Sequence, residues 1–245
     1  MTDKPYGLVC PITHACEVVE PRWTLPILSE LWAGNTRFND IRRGVGSISP
    51  ALLSRRLKEL EANGLIERIE DPATGTVDYI RTQAAIDLEP AMNALALWAQ
   101  KNIKARAALG SLNVSTLMWK MRGYIVTEKL PQRQVVIQFR FDDPELEYNT
   151  YWALIRPGKA VEMCTDIPGF DVDLYVETSK LSLTSVLLAR STVAREQEAG
   201  RMFLSGDALI SRTMQDWLYV TSYGDCEGIA LLDEFDLTPK REEIA

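Results

Sequence analysis

Six cationic side chains crowd one stretch of this chain: Arg37, Arg42, Arg43, Arg55, Arg56 and Lys58. Within residues 37–58 the only acid is Asp40, so the segment carries +5 in a chain whose formal net charge is −7. Guanidinium and ammonium groups at that density pair with phosphate oxygens and release the counterions that a polyanion holds. An arginine fork can also grip the O6/N7 edge of guanine. A basic helix face lying free in solvent has the same composition, so the elements carrying these residues must separate the two readings.

The local signals favour presentation to a groove. Ser49 is a good N-cap and Pro50 fits the first helical position, where no amide donor is needed. Leu53, Leu57 and Leu60 recur at i, i+4 and i+7 as one buried stripe, and Asn63-Gly64 ends the helix. The opposite face carries Ala51, Ser54, Arg55 and Lys58, small or basic residues suited to lying deep in a major groove. A helix over Arg37–Arg43, capped by Thr36, precedes it across a Gly-containing turn. An earlier helix opens at Pro21-Arg22-Trp23 and runs to about Ala33, and a short one covers Ile12–Val19. Behind the basic helix, strands at Leu65–Glu70 and Thr76–Thr82 flank the turn Asp71-Pro72-Ala73-Thr74-Gly75. This order reads as a winged helix-turn-helix, with double-stranded DNA as partner and contacts from Arg37, Arg42, Arg43, Ser49, Ala51, Leu52, Ser54, Arg55 and Lys58. The wing's cations are Arg68 and Arg81, so its grip on a minor groove is expected to be weak.

Residues 9–100 resemble the HxlR-type winged-helix transcriptional regulators of bacteria. The resemblance rests on Cys10-Pro11, Arg22-Trp23-Thr24, Gly34-x-x-Arg37-Phe38-Asn39-Asp40-Ile41, Leu53-Ser54-x-Arg56-Leu57-Lys58-Glu59-Leu60-Glu61, Gly64-Leu65-Ile66 and Tyr79-Ile80-x-Thr82. It implies dimeric binding at promoters. Two departures stand out: Ala85 replaces a Gly common after the final Thr, and Leu52 occupies a position that is often polar. Some members of that family sense oxidants through a cysteine matching Cys10. The helix following Cys10 gives a physical counterpart, since a helix N-terminus lowers a thiol pKa. An inert buried thiol is the other reading.

Ile86 to about Ala108 reads as one long helix with Met92, Leu95, Leu97, Trp98 and Ile103 on an apolar side. That is more than a winged helix can cover, and it suggests packing on a twofold mate, a homodimer reading two half-sites; a spacer buried by a second domain is the alternative. A junction follows around Gly110-Ser111, dividing residues 1–110, the DNA-binding domain with its dimerisation helix, from residues 111–245. Charge divides there too: residues 1–110 hold 13 Lys+Arg and 13 Asp+Glu, and residues 111–245 hold 14 and 21.

The second half alternates. Val135, Ile137, Phe139 and Phe141 share one face of a strand, and further strands fall at Tyr151–Arg156, Ala160–Thr165, Val172–Glu177 and Arg201–Ser205. Helices are expected at 113–124, Leu181–Ala189 and Thr192–Ala199, and from Asp207 to about Trp217. The fold class is therefore α+β: a winged helix-turn-helix followed by an antiparallel-sheet domain with helices on one face. Residues 112–222 resemble the sterol carrier protein type 2 family through Phe141-Asp142-Asp143, Tyr151-Trp152-Ala153-Leu154, Pro168-Gly169-x-Asp171-x-Asp173-Leu174 and Ala199-Gly200-Arg201-Met202-Phe203-Leu204-Ser205-Gly206-Asp207. That resemblance implies an apolar, lipid-like small molecule held between sheet and helices, with Ile137, Phe139, Trp152, Leu154, Leu174 and Leu204 lining the pocket. A filled core is the competing reading.

No catalytic set is legible, so the chain reads as a non-enzyme. There is one histidine, His14, and no G-x-S-x-G, phosphate loop or H-E-x-x-H. Cys10, His14 and Cys16 lack a clean tetrahedral spacing, and no metal or cofactor is expected. Asp171 and Asp173 alternate and should face solvent together. Apolar content of 46% and charged content of 25% fit a soluble globular protein. No apolar run reaches membrane-spanning length and no signal-peptide pattern is seen, so a cytoplasmic location without membrane contact is expected. Three functions stay open: a DNA-binding regulator tuned by an apolar small molecule, a thiol-based redox regulator acting through Cys10, and a lipid carrier whose winged helix binds protein.

Overall fold

The computed structural model describes residues 6–104, 109 and 112–232, and these divide into two units, Met1–Ala94 and Leu95–Ala245. In the first unit, α1 (Pro11–Val19), α2 (Thr24–Trp32), α3 (Phe38–Val45) and α4 (Pro50–Ala62) precede a two-stranded antiparallel wing, β1 (Ile66–Glu70) and β2 (Val77–Arg81). α5 (Gln83–Asn102) follows, and the division between units falls inside it. The expected junction around Gly110-Ser111, and the proposed end of the long helix near Ala108, lie outside the described residues.

Local chemistry explains most of these boundaries. The Ser49 hydroxyl accepts from the Leu52 amide, Pro50 occupies the first turn of α4, and Gly64 follows the helix at φ +69°, where a side chain would be strained. Leu53, Leu57 and Leu60 are at most 2% exposed and pack with Ile27, Leu28 and Ile41. Two caps differ from the sequence reading. α2 begins at Thr24 and not at Pro21, because Trp23 sits in the left-handed region at φ 85° and interrupts the helical path. Thr36 does not cap α3; its hydroxyl donates to Asp78 Oδ1 at 2.6 Å and ties the helix-turn-helix to the wing.

The second unit contains α6 (Val114–Tyr124) and a five-stranded sheet of order β5-β4-β3-β6-β7, with β3 Val135–Phe141, β4 Thr150–Ile155, β5 Glu162–Cys164, β6 Leu174–Thr178 and β7 Met202–Gly206. α7 (Lys180–Leu187), α8 (Val193–Glu198), α9 (Ala208–Arg212) and α10 (Met214–Trp217) complete it. The helix expected from Asp207 to Trp217 is broken at Thr213, whose hydroxyl bonds back to the Leu209 carbonyl. The sheet is not wholly antiparallel: β3 and β6 run parallel. Parallel neighbours need a crossover, and residues 165–173 supply it, carrying the chain from the end of β5 back to the start of β6.

Register corrects the expected pocket lining. Val136 pairs with Leu154 and Gln138 with Trp152, whereas Ile137 pairs with Ala153 and Leu174. Directly opposed residues share a face, so Trp152 and Leu154 lie on the side opposite Ile137, Phe139 and Leu174. Ile137, Phe139 and Leu174 are fully buried in the helix-covered core with Met118, Met121 and Trp217, and Leu204 packs against that core. Trp152 and Leu154 join Val136, Cys164 and Val172 in a separate cluster. The six residues therefore cannot line one cavity. Asp173 also differs from expectation, since its carboxylate accepts from the Val136 amide (2.8 Å) and from Arg133 (2.7 Å).

Candidate nucleic-acid interface

The Leu53-Leu57-Leu60 stripe fixes the rotation of α4, and rotation decides what faces outward. Ala51, Ser54, Arg55 and Lys58 border a shallow, open concavity on the solvent side of that helix. Arg55 keeps 57% of its side chain exposed and Lys58 is exposed. Arg42 and Arg43 are exposed on the last turn of α3, and Arg37 is the residue just before its first turn. The arginine-bearing side is thus directed outward, with small residues between the cations. Leu52 departs from the expected contact set. It is half-buried and packs against the core, which leaves little of its side chain for a base edge. Ser49 is exposed but its hydroxyl is engaged in capping.

The local charge is partly answered within the chain. Arg37 Nε lies 2.7 Å from Asp78 Oδ1, Arg55 Nε donates to Glu59 Oε1 at 2.9 Å, and Arg43 is 3.7 Å from Asp40. Arg56 also donates to Glu59, and its Nε donates to the Arg22 carbonyl at 2.9 Å. With only 11% of its side chain exposed, Arg56 is an anchor between α4 and the chain before α2. Asp40, Glu59 and Asp78 together answer six cations, so the face carries about +3. Neither Asp78 nor Glu59 is among the site residues expected from the sequence. The i,i+4 spacing of Arg55 and Glu59 was the available signal for one of them; nothing local signalled Asp78, which arrives through the wing. Burial pushes the Glu59 carboxyl up, but hydrogen bonds from Arg55 and Arg56 and their charges hold it below its ordinary range.

The wing adds little free charge. Arg68 pairs with Glu70 at 2.9 Å and Arg81 with Glu89 at 3.7 Å. Asp71 organises the tip by accepting from the Ala73 amide and the Thr74 hydroxyl. At the other end of the unit, Cys10 is the N-cap of α1, and hydrogen bonding to Thr13 and Ile12, chiefly through their amides, lowers its thiol pKa. Among the described residues no group of three or more His, Cys, Asp or Glu side chains could hold a metal, and no helix is long and apolar enough to cross a membrane.

A capped helix with an outward cationic face, a supporting helix across a tight turn and a hairpin behind them define a winged helix-turn-helix of the kind that regulates transcription. Residues 18–107 match the HxlR-like helix-turn-helix family. The HTH-type transcriptional regulator YtfH of Escherichia coli K12, itself uncharacterised, is 34% identical over 95 residues, which cover 38% of this chain and 75% of that protein. YvaP of Bacillus subtilis, likewise an uncharacterised HTH-type transcriptional regulator, is 32% identical over 93 residues, covering 37% of this chain and 86% of that protein. The reduced form of the transcriptional regulator YodB from B. subtilis superposes with a TM-score of 0.36 at 31% identity, over 39% of this chain and 96% of that one. The chain belongs to the HxlR-like family of HTH-type transcriptional regulators through this first unit.

Proposed function

We propose that the protein is a homodimeric, sequence-specific DNA-binding regulator, not an enzyme, and that a small apolar molecule in the second unit sets its affinity for DNA. The observation that carries the DNA-reading part is the open cationic face of α4, with Arg55 and Lys58 outward on a helix anchored by three buried leucines. The test is a titration of full-length protein against duplex DNA from the region upstream of its own gene. Arg55→Ala should change sequence preference by about 1–3 kcal/mol, and Arg42→Ala should weaken all sequences alike. Weak binding that neither change alters would sink the reading.

Dimerisation is supported by apolar surface exposed among the described residues. On α5, Leu95 is 54% and Trp98 58% exposed, three residues apart on one helix face, and Val9 before α1 and Ile12 in its first turn are more exposed still. Sedimentation of Trp98→Glu should show monomer where the parent chain shows dimer. For the second unit, the resemblance to the sterol carrier fold supports a ligand-binding role. Mass spectrometry of small molecules released from protein purified from its host tests it.

A second reading has its own observation: the half-buried position of Cys10 at a helix N-terminus with a lowered thiol pKa. Under it an oxidant releases DNA and Cys10→Ser abolishes the response. If the serine variant still responds to diamide, the thiol switch is wrong.

A further inference from the structure

A cleft of about 250 Å³ opens in the second unit between α6 and the β4–β5 edge of the sheet. Met118 and Tyr151 form its buried part, and Trp119 and Met163 are half-buried in its lining. Thioether and aromatic walls adapt to flat apolar groups. Two hydroxyls meet within it, Ser115 Oγ and Tyr151 Oη, 3.1 Å apart, and can offer one donor or acceptor to an incoming polar group. Among the described residues one lining residue carries a charge, Asp166, exposed at the rim, and no lysine or arginine lines the cleft.

The thiol of Cys164 does not turn this into a covalent trap. It lies 3.4 Å from the Asp166 carbonyl oxygen and 3.7 Å from that of Trp152, and burial, then the charges of Asp166 and Glu162, push its pKa up, away from the reactive thiolate. Glu162 is paired with Arg156 Nη1 at 2.7 Å and the Arg122 guanidinium lies 3.2 Å from the Trp119 ring centroid, so the charge on the cleft lining itself is that of Asp166. A carboxylate ligand such as a fatty acid would meet Asp166 as a like charge and find no cation on the lining.

We propose that this cleft binds a small lipophilic amine of one or two rings, its rings against Trp119, Tyr151 and the methionines and its protonated nitrogen at Asp166. The volume lies just below the ~300–1,000 Å³ of drug-sized sites, which limits the ring count. This assignment rests on the reading of the second unit as the effector-binding part, and it names the site and charge of the effector.

Full-length protein without DNA is titrated calorimetrically with 2-naphthylmethylamine, 2-naphthylmethanol and 2-naphthoate at neutral pH. The amine should bind most tightly and the carboxylate least. Asp166→Asn, a surface change, should weaken the amine by about three- to fivefold, as expected for an exposed ion pair, and leave the alcohol unchanged. Ser115→Trp, at an exposed position of α6, should block the cleft and abolish binding of both. Absence of saturable amine binding, equal affinity for amine and carboxylate, or amine binding insensitive to both variants overturns the assignment. Parallel DNA titrations separate it from the reading beneath it. Cleft-dependent amine binding with unaltered DNA affinity supports the site and sinks the effector role. An amine effect on DNA that survives Ser115→Trp does the reverse.

Discussion

Glu59 restrains the helix proposed to read DNA, and replacing it by glutamine should tighten binding. In the free chain its carboxylate accepts from Arg55 Nε at 2.9 Å and from Arg56, so Arg55 must leave an ion pair before it reaches a base or phosphate. That pair is solvent-exposed, with 57% and 40% of the two side chains accessible, and an i,i+4 pair of this kind is worth about 0.3–0.5 kcal/mol. Removing the charge also takes one carboxylate from within a Debye length of the phosphates and lifts the face from about +3 to about +4. Together these favour the complex by about 0.4–1 kcal/mol, a two- to fivefold lower Kd.

The assay is fluorescence anisotropy of a labelled duplex at several salt concentrations, with Glu59→Gln, Arg55→Ala and the double variant. The gain from Glu59→Gln should be largest at low salt and should shrink sharply in the Arg55→Ala background, because the released side chain is then missing. A folded Glu59→Gln protein that binds more weakly would refute the reasoning. It would mean that Glu59 preorganises Arg55 for the groove. A gain that persists undiminished without Arg55 would refute the release argument and leave only charge.

Lys58→Ala should weaken binding to all sequences similarly and reduce the salt slope by about 1, read from the same titrations. Gly206→Ala should destabilise the second unit by about 3 kcal/mol or more, seen as a lower Tm; the residue is at φ +127° and an added Cβ would lie 2.2 Å from the Asp173 carbonyl oxygen. Arg201→Met should cost about 3–5 kcal/mol in denaturant unfolding, since it strands the fully buried Glu196 carboxylate, which accepts from Arg201 Nε and Nη2 at 2.7 and 2.8 Å. Burial pushes Glu196 up, but Arg201 and the Ser182 and Ser191 hydroxyls outweigh it and leave its pKa lowered. A lowered carboxyl stabilises the fold above the unfolded glutamate value, and that stability is lost as pH falls through the folded one. Acid unfolding of Arg201→Met should therefore show a weaker pH dependence than the parent chain.

The bounds and rotation of α4 are legible because their signals are local. Ser49, Pro50, the leucine stripe and Gly64 each act within a turn or two, and together they fix both the length and the rotation of α4. What escaped was non-local. Asp78 reaches Arg37 across the wing, and Trp23 adopts a left-handed backbone that its residue type does not announce. In the second unit alternation identified the strands, but apolar residues alone did not tell which face of β4 meets the helices. β4 is buried on both sides, so Tyr151, Trp152, Ala153 and Leu154 read as a continuous run, and only the pairing of Val136 with Leu154 and Ile137 with Ala153 separates the two faces. The parallel β3–β6 pair was hidden for a related reason, since nothing in residues 165–173 distinguishes a crossover from a hairpin loop.

Any effector acting through the second unit must favour one DNA-binding state over another, because equal affinity for both shifts nothing. α5 is the element that spans the division between the two units. Its first half gives Leu88 and Met92 to the apolar core of the DNA-reading unit. Its last turn is held by Arg190, 2% exposed, which donates to the carbonyls of Ala99 (3.4 Å) and Ile103 (2.7 Å), to the Gln100 side chain (3.0 Å) and to the Ala230 carbonyl (3.1 Å). A guanidinium at a helix C-terminus complements the helix dipole and adds a donor to its last carbonyls; that of Ala99 also accepts from the Ile103 amide at 3.0 Å. Gln100 completes the grip by donating to the Leu188 carbonyl at 2.8 Å, just past the end of α7. A displacement of α7 therefore strains hydrogen bonds to the last turn of α5, whereas the exposed Leu95 and Trp98 between the two anchors have no such hold. The same helix thus packs on an apolar core in its first half, is hydrogen-bonded by Arg190 in its last turn, and carries exposed Leu95 and Trp98 in its middle.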